Sequence, residues 1–128
     1  AERPGGQGGR RMKKVIYIAG PITGVPRYWE AFETAEDELT AAGYLPLSPA
    51  RMPDGMENEK AMRICLAMID AADAVLFLPG SSRSRGASLE HRYCEYTGKP
   101  WARSIKELKE AMAACKSLMI TAPGRTLC

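Results

Sequence analysis

Two short, almost uninterrupted apolar runs constrain this chain more than anything else in it: residues 13–21, KKVIYIAGP, and residues 73–79, DAVLFLP. Both are too short for a typical helix, carry β-branched and aromatic residues, and are apolar at consecutive positions, so both side-chain faces must be covered. Such runs read as strands of a parallel sheet packed on both sides. Each ends at a Gly or Pro step that delivers the strand's carboxyl end into a loop.

The intervening segments carry helical spacing. Between Tyr28 and Ala42, the apolar positions Trp29, Phe32, Leu39 and Ala42 recur at that spacing, Glu30, Glu33, Glu36, Asp37 and Glu38 take the other faces, and Gly43 is a stop signal. From about Glu57 to Ala72, one face holds Ala61, Cys65, Met68, Ile69 and Ala72. The stretch Tyr44 to Pro49 is a Pro-interrupted strand suited to a sheet edge, followed by a loop through Pro53-Asp54-Gly55. After the second apolar run, a loop from Gly80 to Gly86 leads to a helix ending at Thr97-Gly98. A short strand from Pro100 to Arg103 and a last helix from Ile105 to about Ala114 follow.

Alternating elements with crossovers of roughly 15 residues predict right-handed connections and a parallel sheet. The expected architecture is therefore α/β, a Rossmann-like three-layer domain with four or five parallel strands. The fifth strand would come from Leu118 to Ile120, a run that could equally serve as an oligomer contact.

At 128 residues the chain supports one domain, here residues 12–115. Residues 1–11, AERPGGQGGRR, read as a flexible tail, and residues 116–128 as a C-terminal tail or extra strand. The formal charge of +3 comes from the start of the chain, where Arg3, Arg10, Arg11, Lys13 and Lys14 face only Glu2, leaving the rest near neutrality. That tail has no interleaved aromatic residues to stack on bases, so a nucleic-acid partner is not expected. No apolar stretch approaches the roughly 18 residues of a membrane span. Cys65, Cys94, Cys115 and Cys128 form no CxxC and no metal-type spacing with the single histidine, His91, so neither a metal nor a cofactor is expected and a reducing cytoplasm fits the chain.

Parallel sheets bind ligands beyond the carboxyl ends of their strands, which directs attention to the loops after Ala19 and Leu78. The first, with Gly20, Pro21, Ile22, Thr23 and Gly24, lacks both GxGxxG and the Gly-Lys-Ser/Thr of a P-loop, which disfavours dinucleotides and Walker-type triphosphate binding. It reads as an ordinary strand-to-helix turn or as a close backbone approach to a ligand. The second, Pro79 to Gly86, gathers Ser81, Ser82 and Ser84 with Arg83 and Arg85 just before a helix N-terminus, a natural anion site. Ser82, Ser84, Gly86 and Ala87 are its candidate binding residues, although Ser84 could serve simply as an N-cap.

On the helix that follows, Glu90 shares a face with Ala87, Cys94 and Thr97, small residues that should turn toward the sheet. A carboxylate on such a face is either paired or functional. Tyr17, set among aliphatic residues in the first strand, needs a partner for its hydroxyl, and Glu90 is the candidate. His91 points about 100° away from Glu90 and reads as a surface or subunit-contact residue.

Three ordered motifs, Tyr17-Ile-Ala-Gly20-Pro21-Ile-Thr-Gly24, Ala72-Asp73 and Ser84-Arg-Gly86-Ala-Ser-Leu-Glu90, give the chain a resemblance, from about Lys14 to Trp101. It resembles the phage and bacterial domains grouped near the nucleoside 2-deoxyribosyltransferases and the nucleoside monophosphate N-glycosidases. The resemblance implies a flavodoxin-like sheet, a nucleoside or nucleoside monophosphate in the cleft, and attack on the anomeric carbon by a glutamate. Glu90 matches that glutamate, Tyr17 the tyrosine that positions it, and Ser84, six residues ahead of Glu90, the phosphate-holding serine. It also implies a homo-oligomer, with Trp29, His91 and Tyr93 as contacts. The chain departs from the pattern where related enzymes place an Asp eight residues ahead of the position of Asp73, because Cys65 stands there. Asp54 is an alternative source of the proton for the leaving base. Loss of turnover, leaving a nucleotide-derivative binding module, is the competing expectation.

Overall fold

A computed structural model describes residues 12–121. The apolar run after Lys14 forms β1 (Val15–Ala19). The segments that follow are α1 (Tyr28–Ala41), β2 (Leu45–Leu47), α2 (Asn58–Ala71), β3 (Ala74–Phe77), α3 (Arg85–Thr97), β4 (Trp101–Ala102) and α4 (Ile105–Thr121). Short 3-10 turns at Pro49–Arg51 and Ser81–Arg83 interrupt the loops after β2 and β3.

The four strands make one parallel sheet in the order β2-β1-β3-β4. Pro46 lies in β2 at an edge, where its missing N–H costs no ladder bond on the solvent side. Register between the central strands pairs Tyr17 with Val75 and Ala19 with Phe77. Asp73 fixes it: its carboxylate accepts from the Val15 N–H at 2.7 Å, while its own N–H donates to the Val15 carbonyl at 2.7 Å. Asp73 is thus a structural residue.

Strand alternation divides the core into two layers. Ile16, Ile18, Ala74 and Leu76 pack against Phe32, Ala35 and Leu39 of α1 and Leu108 of α4. Tyr17, Ala19, Val75 and Phe77 face the other way, onto Cys65 and Ile69 of α2 and Cys94 of α3. Each fully buried Ile, Leu or Phe contributes about 1.5–3 kcal/mol, so these two layers carry the fold.

Two sequence expectations change. Of the two expectations for residues 118–120, a fifth strand or an oligomer contact, the structure overturns the strand, because these residues belong to α4. No Gly or Pro interrupts the chain between Ile105 and Thr121, so the helix runs on past Ala114. His91 is half-buried, its ring 4.4 Å from Trp101 and 5.4 Å from Phe77 in edge-on contacts, because α3 turns that flank toward β4. The flexible-tail reading of residues 1–11 and the C-terminal residues 122–128 lie outside the described residues.

Among the described residues no helix is long and apolar enough to cross a membrane. Nor is any group of three or more His, Cys, Asp or Glu side chains gathered there as metal ligands would be.

Candidate functional site

The sheet order reverses between β1 and β3, which places the topological switch point at the carboxyl ends of these two strands. The loops leaving them abut. Leu78 N–H donates to the Ala19 carbonyl at 2.8 Å, and a Cβ on Gly80 would sit 3.4 Å from Pro21. Gly80 takes a left-handed backbone (φ 87°), the conformation that lets the chain reverse there into the Ser81–Arg83 turn.

Below this junction lies a buried polar group. Tyr17 projects from the middle of β1, and Glu90 lies on α3 about 7 Å below the helix N-terminus. The Tyr17 hydroxyl donates to Glu90 Oε2 at 2.8 Å. Tyr17 is fully buried and Glu90 is 4 % exposed. The Cys65 thiol, from α2, interacts with both. The expected Tyr17–Glu90 contact is therefore present, and Cys65, read from the sequence as a core residue, is a third member of the cluster.

Burial sets the protonation of all three. Desolvation pushes the Glu90 carboxyl up to about 7, opposed by hydrogen bonds from Tyr17 and from Cys65. Burial pushes the Cys65 thiol up to about 11, so it holds its proton at neutral pH. The Tyr17 phenol is raised as well, by burial first and then by the Glu90 charge. A carboxyl that titrates near neutrality can act as a nucleophile or proton acceptor when ionised and as a proton donor when protonated.

The loop after β3 supplies polar groups at the rim. Ser84 Oγ accepts from the Ala87 N–H at 3.2 Å and caps α3, and Ser88 N–H donates to the Ser84 carbonyl at 2.8 Å. The N–H groups of Arg85 and Gly86, in the first turn, are left to meet a group from outside the helix. Ser84 thus fills its capping role and keeps its hydroxyl proton to donate. Ser82 is exposed, while its neighbour Ser81 is buried and donates to the Leu78 carbonyl.

Gly20 owes its identity to packing. A Cβ there would lie 3.1 Å from Leu78 Cβ and 3.2 Å from Phe32 Cζ, on the α1 side of the sheet. Pro21 and Ile22 are half-buried beside it, and the Ile22 carbonyl accepts from the Val25 N–H at 3.1 Å in a tight turn. Gly86 differs, because a Cβ there would meet only the flexible end of Met62, at 3.2 Å.

A separate depression of about 150 Å³ lies beyond β2, between α1 and the Pro49–Arg51 turn, with Trp29, Phe32, Glu36 and Arg51 in its wall. It includes neither Tyr17 nor Glu90. Its floor is held by a bidentate pair, Arg51 to Glu36 at 2.8 and 3.0 Å, which the sequence did not reveal.

Residues 14–102 match the family described as Domain of unknown function (DUF4406), and the chain belongs to that family. The match spans both Tyr17 and Glu90. A search of curated proteins finds no match.

Proposed function

We propose that this DUF4406 member acts on the N-glycosidic bond of a nucleoside or nucleotide, as a hydrolase or deoxyribosyltransferase, with Glu90 as the nucleophile. The observation that carries this reading is the buried Tyr17–Glu90 hydrogen bond of 2.8 Å, set under the switch point of a parallel sheet. A carboxylate held away from water by a tyrosine hydroxyl is oriented for attack on a sugar carbon and shielded from competing hydration.

In this scheme Glu90 in its ionised form adds to C1′ as the bond from C1′ to the base nitrogen breaks, through an oxocarbenium-like transition state. The departing base nitrogen takes its proton from water, and the hydroxide left behind is neutralised when the ester is resolved. Water, or a second base, then resolves the glycosyl ester and frees the carboxylate. Ser84, with the backbone N–H groups of Arg85 and Gly86, holds sugar or phosphate at the α3 N-terminus, while Ala87, a binding candidate in the sequence, is buried with its N–H committed to the Ser84 cap; Ser82, Pro21 and Ile22 line the rim with Gly20 behind them. The site works as part of a homo-oligomer, with the half-exposed Trp29 as a contact, in a cytoplasmic setting; light scattering tests the assembly.

The source of the leaving base's proton supports a second reading. Cys65, with its thiol pushed up to about 11, is a poor acid where a carboxyl would serve. Asp54 is exposed and held at the surface by the Tyr28 hydroxyl at 3.1 Å, away from the buried Tyr17–Glu90 pair. Both observations favour a domain that binds a nucleotide derivative without turning it over.

One experiment separates the readings. The purified protein and its Glu90→Ala variant are incubated with ribo- and deoxyribonucleosides and their 5′-monophosphates, with chromatography for released base. Release that vanishes in the variant supports the glycosidic reading. A ligand-induced melting shift without any product supports the binding module.

A further inference from the structure

Glu90 is 4 % exposed and Tyr17 fully buried, so any ligand that reaches this carboxylate must displace a covering element. The surrounding elements differ in how firmly they are held. β1 and β3 are the two central strands, and α3 is fixed by its Ser84 cap and by Glu90 itself. Residues 52–57, between the Pro49–Arg51 turn and α2, contain no helix or strand.

In this segment Pro53, Asp54, Gly55 and Glu57 are exposed, and Gly55 takes a left-handed backbone (φ 88°). Met52 is half-buried and packs against the core cluster that holds Tyr17, Ala19 and Cys65, as does Met62 from the start of α2. At its middle the segment is tied to α1, where the Tyr28 hydroxyl donates to Asp54 Oδ1 at 3.1 Å. That bond lies at the surface, where water competes for both partners.

We propose that residues 52–57 form a lid over the Tyr17–Glu90 pair, latched by the Tyr28–Asp54 hydrogen bond, which lets ligand in when Met52 withdraws. An unbranched methionine suits this role, since it fills the closed cavity yet repacks at low cost. The lid rests on the reading of Glu90 as the ligand-facing carboxylate, and it holds whether the ligand is turned over or only bound.

Cys65 reports on the lid without any substrate. It belongs to the cluster that Met52 packs against and lies on α2, the helix into which residues 52–57 lead, whereas Cys94, in the same cluster, lies nine residues into α3 and is fully buried. Labelling by N-ethylmaleimide under native conditions, resolved peptide by peptide, follows both thiols in one sample. Loosening the latch by Tyr28→Phe or Asp54→Ala should speed Cys65 labelling about fivefold, the loss expected for one hydrogen bond, with Cys94 unchanged. Met52→Ala, which thins the cover, should do the same. Cys65 rates equal to wild type in all three variants would overturn the lid. So would parallel acceleration of Cys65 and Cys94, which would mark general loosening of the fold. Absence of base release in the separate activity assay would remove the glycosidic reading and leave this result standing.

Discussion

The Tyr17 hydroxyl and Glu90 Oε2 meet at 2.8 Å across 73 residues of chain, joining the middle of the first strand to the third helix. The bond is charge-assisted when Glu90 is ionised, and it opposes the desolvation that pushes the carboxyl up. Tyr17→Phe removes the donor and leaves the burial. The Glu90 titration should therefore move further up, and any pH–rate profile that depends on the carboxylate should shift its acid limb to more alkaline pH. Stability should fall by about 1–3 kcal/mol at pH 8 and by less at pH 5, where the carboxyl is protonated. Denaturant unfolding at the two pH values checks this, and an equal loss at both would show that the hydroxyl does not act through the charge.

Glu90 itself makes stability depend on pH in a direction opposite to an ordinary paired carboxylate. Its folded value of about 7 lies above the ordinary carboxyl value of 4.5, so the folded state holds its proton more tightly than the unfolded state. The contribution is full below about 4.5 and is lost as pH rises through about 7, a change of about 3 kcal/mol. Glu90→Gln keeps the shape and a carbonyl to accept from Tyr17 but carries no charge. It should match the wild type near pH 4.5 and exceed it in stability by about 3 kcal/mol above pH 7, while abolishing any base release. A wild-type stability that does not decline between these pH values would remove the buried-carboxyl account.

Much of this site was legible because burial makes demands that a sequence displays. A tyrosine inside an aliphatic strand needs a partner for its hydroxyl, and a glutamate on a small-residue helix face needs a reason to be there. Each demand answered the other. The parallel sheet was legible for a similar reason, since two runs apolar at every position must be covered on both sides. Contacts between polar residues near the surface send no such signal. The pairs Tyr28–Asp54 and Arg51–Glu36 join residues whose types are at home in water, so nothing in the sequence required them to meet. The length of α4 was missed because a helix end was placed where amphipathic spacing faded, at Ala114, although no residue there stops a helix.

Ser84 has two tasks that one substitution can separate. As the N-cap it satisfies the Ala87 N–H, and Ser84→Ala should cost about 1 kcal/mol in stability. Ser84→Asp preserves the cap, since aspartate accepts the same bond, but sets a negative charge where a phosphate would rest. It should keep wild-type stability and lose the melting shift produced by a nucleoside 5′-monophosphate, while keeping any shift from the nucleoside. Retention of the monophosphate shift in Ser84→Asp would place the phosphate elsewhere.

Gly20 and Gly86 stand at the ends of the two loops and should fail in opposite ways when given a side chain. A Cβ at Gly20 would press on Leu78 Cβ, which is fixed to the backbone, and on the ring of Phe32, which is 1 % exposed, so neither neighbour can yield freely. Gly20→Ala should lose about 1–3 kcal/mol of stability through overpacking. Phe32 belongs to the layer opposite Tyr17 and Glu90, so ligand affinity of the folded molecules should persist. At Gly86 the contact is with the mobile end of Met62, and alanine favours the helix by about 1 kcal/mol over glycine. Gly86→Ala should therefore fold as well as the wild type. It should weaken anion binding, because the methyl group stands beside the N–H groups of the first turn. Melting curves with and without a nucleoside 5′-monophosphate test both variants together. Equal ligand shifts in Gly86→Ala and wild type would mean that the α3 N-terminus is not the binding edge.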